Sequence, residues 1–261
     1  MKNEPNEVTV FMQDTSDRKA RLVMLSNSRL LWHGRSGAFQ AQAFVEAARF
    51  ANQCGIQPTN VCLMKAAGNV DAPGYRQIKN WYPTESHAHI SADAIHVREP
   101  RTMTMFQSSD CASGAAYNRK TGESILYHCG RPAGMPDDGQ NIITDVLDQI
   151  APDGDMAALE IIFTGSICGA HLPHLDGLGR KQADAYLDEF GPSVFYDVAT
   201  RSLDMRKVIT AVHLSAGVEL HQITFFGPDC TYAAPCCASN RRDTMQGKIR
   251  QKGNSILWLT M

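Results

Sequence analysis

The sequence predicts an α+β protein, a layered β-sandwich or sheet with flanking helices, carrying an N-terminal α/β elaboration. Three observations lead there. Short β-type runs recur along most of the chain, three helical patterns interrupt them, and Gly, Pro and Asn punctuate the boundaries. The 261 residues suffice for a stable core without disulfides or metal staples.

Val8 to Met12 and Arg21 to His33 are β-type, the second closed by Gly34. From Ser36 the period changes. Phe39, Ala43, Phe44, Ala47, Phe50, Ala51 and Cys54 recur at steps of three and four, and Gly55 ends the helix. Asn60 to Lys65 reads as a buried strand. Gly68 to Glu85, rich in Gly, Pro, Asn and aromatics, reads as a loop or boundary. This divides the chain at about residue 90, with 1–90 as the elaboration and 91–261 as the core with a β-rich C-terminal extension.

In the core, Ile95 to Val97 and Thr102 to Phe106 are β-type, separated by Glu99-Pro100. Ala112 to Tyr117 and Ser124 to His128 form a hairpin, because Asn118 to Gly122 supplies the Asn and Gly that a tight turn requires. Ile142 to Ile150 is an amphipathic helix and Ala158 to Phe163 a strand. Arg180 to Phe190 is a helix stopped by Gly191-Pro192. Val194 to Val198, Lys207 to Leu214, Leu220 to Phe226 and Ser255 to Thr260 read as strands.

Lys and Arg total 25 against 27 Asp and Glu, a net charge of −2 that lacks the basic footprint of a nucleic-acid binder. The cluster Arg241, Arg242, Lys248, Arg250 and Lys252 reads as a solvated face or turn. No stretch approaches 18 apolar residues, so no membrane insertion is expected. The N-terminus has no apolar signal region. With eight cysteines, that places the protein in a reducing cytoplasm, or in a host cell reached without a cleaved signal.

The hairpin brings Cys111, just before one strand, beside His128 at the end of its partner, 17 residues on. Cross-strand neighbours lie within about 5 Å at Cβ. A thiol beside an imidazole is a nucleophile and its base. The preceding turn, Gln107-Ser108-Ser109-Asp110, could offer N–H groups to an oxyanion. Against this stands chance: eight Cys and nine His make some pair at hairpin spacing expected.

From about Ile95 to Thr200 the chain resembles the chemotaxis receptor glutamine deamidase CheD, which shares its layout with the cytotoxic necrotizing factor toxins. The shared order is a Thr102/Thr104 strand, a polar turn, Cys111, the small-residue strand Ala112 to Tyr117, a charged turn and the His128 strand. A Pro, Gly and Asp loop, Arg131 to Gly139, follows. After a helix and a strand come Thr164 to Gly169, Gly177-Leu178-Gly179 opening a second helix, and Phe190-Gly191. The resemblance implies a protein-glutamine deamidase that needs no cofactor. Cys111 would attack the side-chain carboxamide, His128 would act as base, and a threonine on the preceding strand would orient the histidine. Strict register puts Met105 at that threonine's place, so Thr104 serves only if the turn shifts by one residue. Asp110 stands where the relatives have Ser, and the approach lacks their Gly. The first ~90 and last ~60 residues have no counterpart there.

The implied partner is a protein carrying the target glutamine, either a chemotaxis receptor or, favoured by the extra segments, the host target of a secreted effector or toxin. The rivals are another thiol hydrolase, such as a peptidase or deubiquitinase, and a non-catalytic binding module with an inert Cys111. Cys168, His171 and His174, with Asp176 beyond, carry zinc-type atoms, but Pro173 breaks any helix that would align them, and they read as a structural or substrate-facing loop. Cys230, Cys236 and Cys237 read as buried small hydrophobes. His87 and His89 read as surface loop.

Overall fold

Two six-stranded sheets face each other, and helices cover the far side of one of them. The computed structural model describes residues 10–28, 49–53, 60–65, 76–81, 87–130, 141–173, 177–247 and 253–261. The strands are β1 Val10–Asp14, β2 Ala20–Ser28, β3 Asn60–Lys65, β4 Ile78–Trp81, β5 His87–Ser91, β6 Ala94–Val97, β7 Thr102–Ser108, β8 Ala112–Asn118, β9 Ser124–Cys129, β10 Leu159–Thr164, β11 Phe195–Asp197, β12 Ser202–Leu203, β13 Ile223–Phe226 and β14 Gly253–Thr260. The helices are α1 Ile142–Ile150, α2 Gly177–Phe190, α3 Met205–Ser215 and α4 Asn240–Met245.

The first sheet runs β1-β2-β14-β7-β3-β5 and the second β13-β10-β8-β9-β6-β4, with β11 and β12 a separate ribbon. Strand alternation assigns each residue to a layer. Leu22, Met24, Phe106, Ile256 and Trp258 of the first sheet meet Ile95, Ala115, Tyr117 and Leu126 of the second in the central core. Val23, Leu25, Met103, Met105, Leu257 and Leu259 face the other way, toward Phe50 and Ala51 of the helical residues 49–53. On the far side of the second sheet, Tyr127 and Phe163 pack with Val146 and Leu147 of α1 and with Val208 and Val212 of α3.

The α+β layering expected from the sequence is therefore present. Strands from both sides of residue 90 share the first sheet, and β4, from before it, forms one edge of the second. Lys207 to Leu214, read as a strand for its β-branched residues, is the body of α3. Asp204 caps that helix by accepting from the N–H groups of Arg206 and Lys207. Met205, Val208, Ile209 and Val212 line its buried face. β4 falls inside the segment read as loop, and His87 and His89 belong to β5, the last strand of the first sheet. Among the described residues, no helix is long and apolar enough to cross a membrane.

Candidate functional site

The chain leaves the first sheet at the end of β7 and enters the second at β8, and Cys111 sits on that crossing. The hairpin forms as its turn chemistry dictates. Gly122 takes φ +76° and donates to the Asn118 carbonyl at 2.8 Å, a backbone conformation glycine adopts without Cβ strain. Register then pairs Ser113 with His128 and Ala112 with Cys129. Paired residues share a face, and residues two apart share it too, so Cys111 and His128 both look into the space between the sheets. There Cys111 stands on the same face as the His128 ring, near enough to contribute to raising its pKa.

The crossing is fixed through its carbonyls. Ser109 O accepts from Asn254 Nδ2 at 2.9 Å, and Cys111 O accepts from Ser108 Oγ at 3.0 Å. Asp110 O accepts from the Ile167 N–H at 3.0 Å. The Asp110 carboxylate is engaged by Thr231 Oγ1 at 2.9 Å and by the Arg241 N–H at 2.8 Å. That engagement resolves how an acid can stand directly beside the candidate nucleophile.

His128 is held from three sides. Its Nδ1 lies 3.1 Å from Asp93 Oδ1, and its backbone N–H donates to the Asp93 carbonyl at 2.8 Å. The Phe106 ring meets it edge-on at 5.7 Å between centroids. A Cβ on Gly130 would come 2.6 Å from His128 Cε1, so glycine is required there by the ring's closeness. Asp93 is wholly buried, and its Oδ2 accepts from the Arg76 N–H at 2.9 Å.

Burial by itself would push the His128 imidazole down. The hydrogen bonds and charges of Asp93 and Cys111 outweigh it and raise the group to about 10. The ring therefore carries its proton at neutral pH. The geometry can deliver a sulfur nucleophile and a proton to the same substrate.

Sequence reasoning placed Cys111 and His128 together and missed Asp93. The signal was present: a lone carboxylate in the apolar run Ile90-Ser91-Ala92-Asp93-Ala94-Ile95 must find a buried partner. Thr104 does not orient the histidine. Its Oγ1 is buried with no hydrogen-bond partner among the described residues, and Asp93 takes the orienting place. Met105 faces the opposite side of the first sheet.

The second cysteine group divides. Cys236 and Cys237 stay side by side, while Cys230 lies beside Cys168 and His171. His174 and Asp176 lie outside the described residues, as do Lys248, Arg250 and Lys252. Arg242 does not fit the expected solvated face: its guanidinium donates to the carbonyls of Tyr232 and Ala234 at 2.9 and 3.0 Å.

No family profile matches the sequence, and no curated protein matches it. Solved structures do share the fold. The hypothetical protein YfiH of Bacillus licheniformis superposes with a TM-score of 0.73 at 12% identity, covering 94% of each chain. NMB0706 of Neisseria meningitidis, described as belonging to DUF152, gives 0.70 at 12% identity over 97% of this chain and 99% of that one. YlmD of Geobacillus stearothermophilus gives 0.68 at 14% identity over 93% and 92%. At these identities the likeness is one of fold.

That likeness overturns the resemblance to CheD and the necrotizing factor toxins, and with it protein-glutamine deamidation and the chemotaxis, effector and toxin roles. The reason is architectural. Any β-hairpin with a thiol before one strand and an imidazole ending the other reproduces those short motifs. The strands around β7, namely β3, β5, β14, β2 and β1, come from the segments that had no counterpart in the deamidases.

Proposed function

We propose that the chain is a thiol-dependent enzyme in which Cys111 attacks an electrophilic carbon, His128 protonates the departing group and Asp93 anchors the imidazolium. One observation carries this reading: Cys111 and His128 share one face of a rigid hairpin, with a buried carboxylate 3.1 Å behind the ring. The burial supports it as well. The carboxylate is inaccessible and the His128 side chain 10% exposed, while Cys111 is partly exposed, so the reactive sulfur is the member a substrate meets first. In the reaction, a carbon–sulfur bond forms as the bond to the leaving group breaks, and the His128 proton neutralises that group. A second nucleophile then releases the enzyme, its proton returning to His128.

Alkylation tests the reading. At pH 7 and limiting iodoacetamide, peptide mapping should find Cys111 modified faster than the partly exposed Cys236. His128→Ala, which removes the neighbouring imidazole, should slow that modification by about tenfold or more. An unreactive Cys111, or one indifferent to His128, sinks the proposal. Acid-quenched intact mass of the wild type and Cys111→Ser after exposure to a metabolite extract would then identify the covalent adduct.

A further inference from the structure

A second constellation lies across the Asp110 junction from this site and has no part in the chemistry above. Cys168 precedes and His171 ends the short 3-10 turn Gly169–His171, and Cys230 arrives from a loop 62 residues further on than Cys168. The His171 Nδ1 is 3.1 Å from Cys168 Sγ and 3.6 Å from Cys230 Sγ. All three candidate donor atoms lie within 4.8 Å of one another. Around a tetrahedral zinc ion, with Zn–S about 2.3 Å and Zn–N about 2.0–2.1 Å, sulfur and nitrogen donors stand about 3.6 Å apart. The cluster therefore needs little movement to close on an ion.

The surroundings fix these donors. The His171 ring stacks on Tyr232 with centroids 4.1 Å apart and planes at 20°. The Cys168 N–H donates to Cys230 Sγ at 3.2 Å, a bond well suited to a sulfur bearing negative charge. Both arms are tied down beside their ligands. Ile167 donates to Asp110 O, the Thr231 N–H donates to Ser166 O at 3.0 Å, and Thr231 Oγ1 donates to Asp110 Oδ1. Arg242 staples the carbonyls of the Cys230 loop from behind.

We propose that Cys168, His171 and Cys230 bind one zinc-class divalent ion through two thiolate sulfurs and an imidazole nitrogen, with no fourth protein donor among the described residues. Two soft sulfurs and one nitrogen select zinc over magnesium or calcium. Three protein ligands with an open place are the arrangement of a zinc that takes water or a substrate atom. Cys230 is buried, whereas Cys168 and His171 are partly exposed, so a fourth ligand would reach the ion from the accessible side. Cys–x–x–His spacing alone does not reveal the site, because its third ligand is remote in sequence.

Cobalt titration of the full-length reduced protein tests this. The expected result is one bound ion, with a thiolate-to-cobalt charge-transfer band and intense visible bands of tetrahedral coordination, all displaced by zinc. His171→Ala and Cys168→Ser, both at partly exposed positions, should lose those bands while retaining the wild-type circular dichroism. Cys111→Ser should keep them. The proposal is overturned by a weak octahedral spectrum, by bands that vanish in Cys111→Ser yet persist in the other two variants, or by a Cys168–Cys230 disulfide in protein prepared without metal or oxidant.

Discussion

At the residue scale, two buried histidines oppose each other in their response to pH. His128 is raised to about 10, because its bonds to Asp93 and Cys111 outweigh burial. The stability its proton contributes is complete below the ordinary value near 6.5 and is lost as pH rises through about 10. His213 is lowered to about 4, since burial outweighs its bond to the Ile209 carbonyl. It lies 3.2 Å from the Tyr127 hydroxyl. The unfolded chain binds that proton more readily, so stability falls as pH drops from about 6.5 toward 4, by on the order of 3 kcal/mol. Urea unfolding across pH should trace both arms, and His213→Gln should flatten the acid one. Asp93→Asn should remove most of the alkaline arm and also slow Cys111 alkylation at pH 7. If unfolding of Asp93→Asn keeps the wild-type pH profile, the carboxylate is not what holds the proton. Gly130→Ala tests position rather than charge. The added carbon meets the imidazole at 2.6 Å, so the ring must swing from Cys111, and alkylation should slow while the protein still unfolds cooperatively.

At the element scale, local rules were legible wherever chemistry and period agreed. The Asn118 to Gly122 turn, β3 and α1 all follow their sequence signals. In α1 the Asn141 side chain accepts from Ile143 and Thr144, and every apolar residue faces the core. α3 was misread because Val208, Ile209, Thr210 and Val212 favour strands by propensity, although Met205, Val208, Ile209 and Val212 recur at helical spacing. Tertiary burial decided in favour of the period. The cap was the overlooked cue, and Asp204→Ala should cost about 1 kcal/mol in urea unfolding. A change near zero would show that packing alone sets the start of this helix. β4 escaped notice because it is a short strand at a sheet edge, with Lys79 and Asn80 exposed, in a stretch whose Gly and Pro content reads as loop. Asp93 and Cys230 escaped for another reason. Each acts on a partner dozens of residues away, and no local period or turn encodes that distance.

At the scale of the whole molecule, the order of strands carries the consequence. β14, the last strand, lies between β2 and β7, pairing antiparallel with both. β7 pairs on its other side with β3. The strand that leads into Cys111 is therefore flanked by the last strand and by β3, from the first quarter of the chain. Trp258 on β14 is fully buried and donates from Nε1 to Ser124 Oγ at 2.8 Å, tying the first sheet to the candidate-site hairpin in the second. A fragment of residues 91–261 keeps the candidate site and loses β1, β2, β3, β4 and β5. It leaves edges of both β14 and β7 unpaired and the inner faces of Leu22, Met24, Cys62 and Met64 missing from the central core. Exposed, apolar strand edges of that kind aggregate rather than stand alone. The fragment should accumulate as insoluble protein or as a species without cooperative thermal unfolding. Adding residues 1–90 in trans should restore a soluble complex in which Cys111 alkylates at the intact protein's rate. A soluble 91–261 fragment with a sharp unfolding transition would mean that the two sheets are not one cooperative unit, and that the hairpin site is supported by the second sheet and its helices alone.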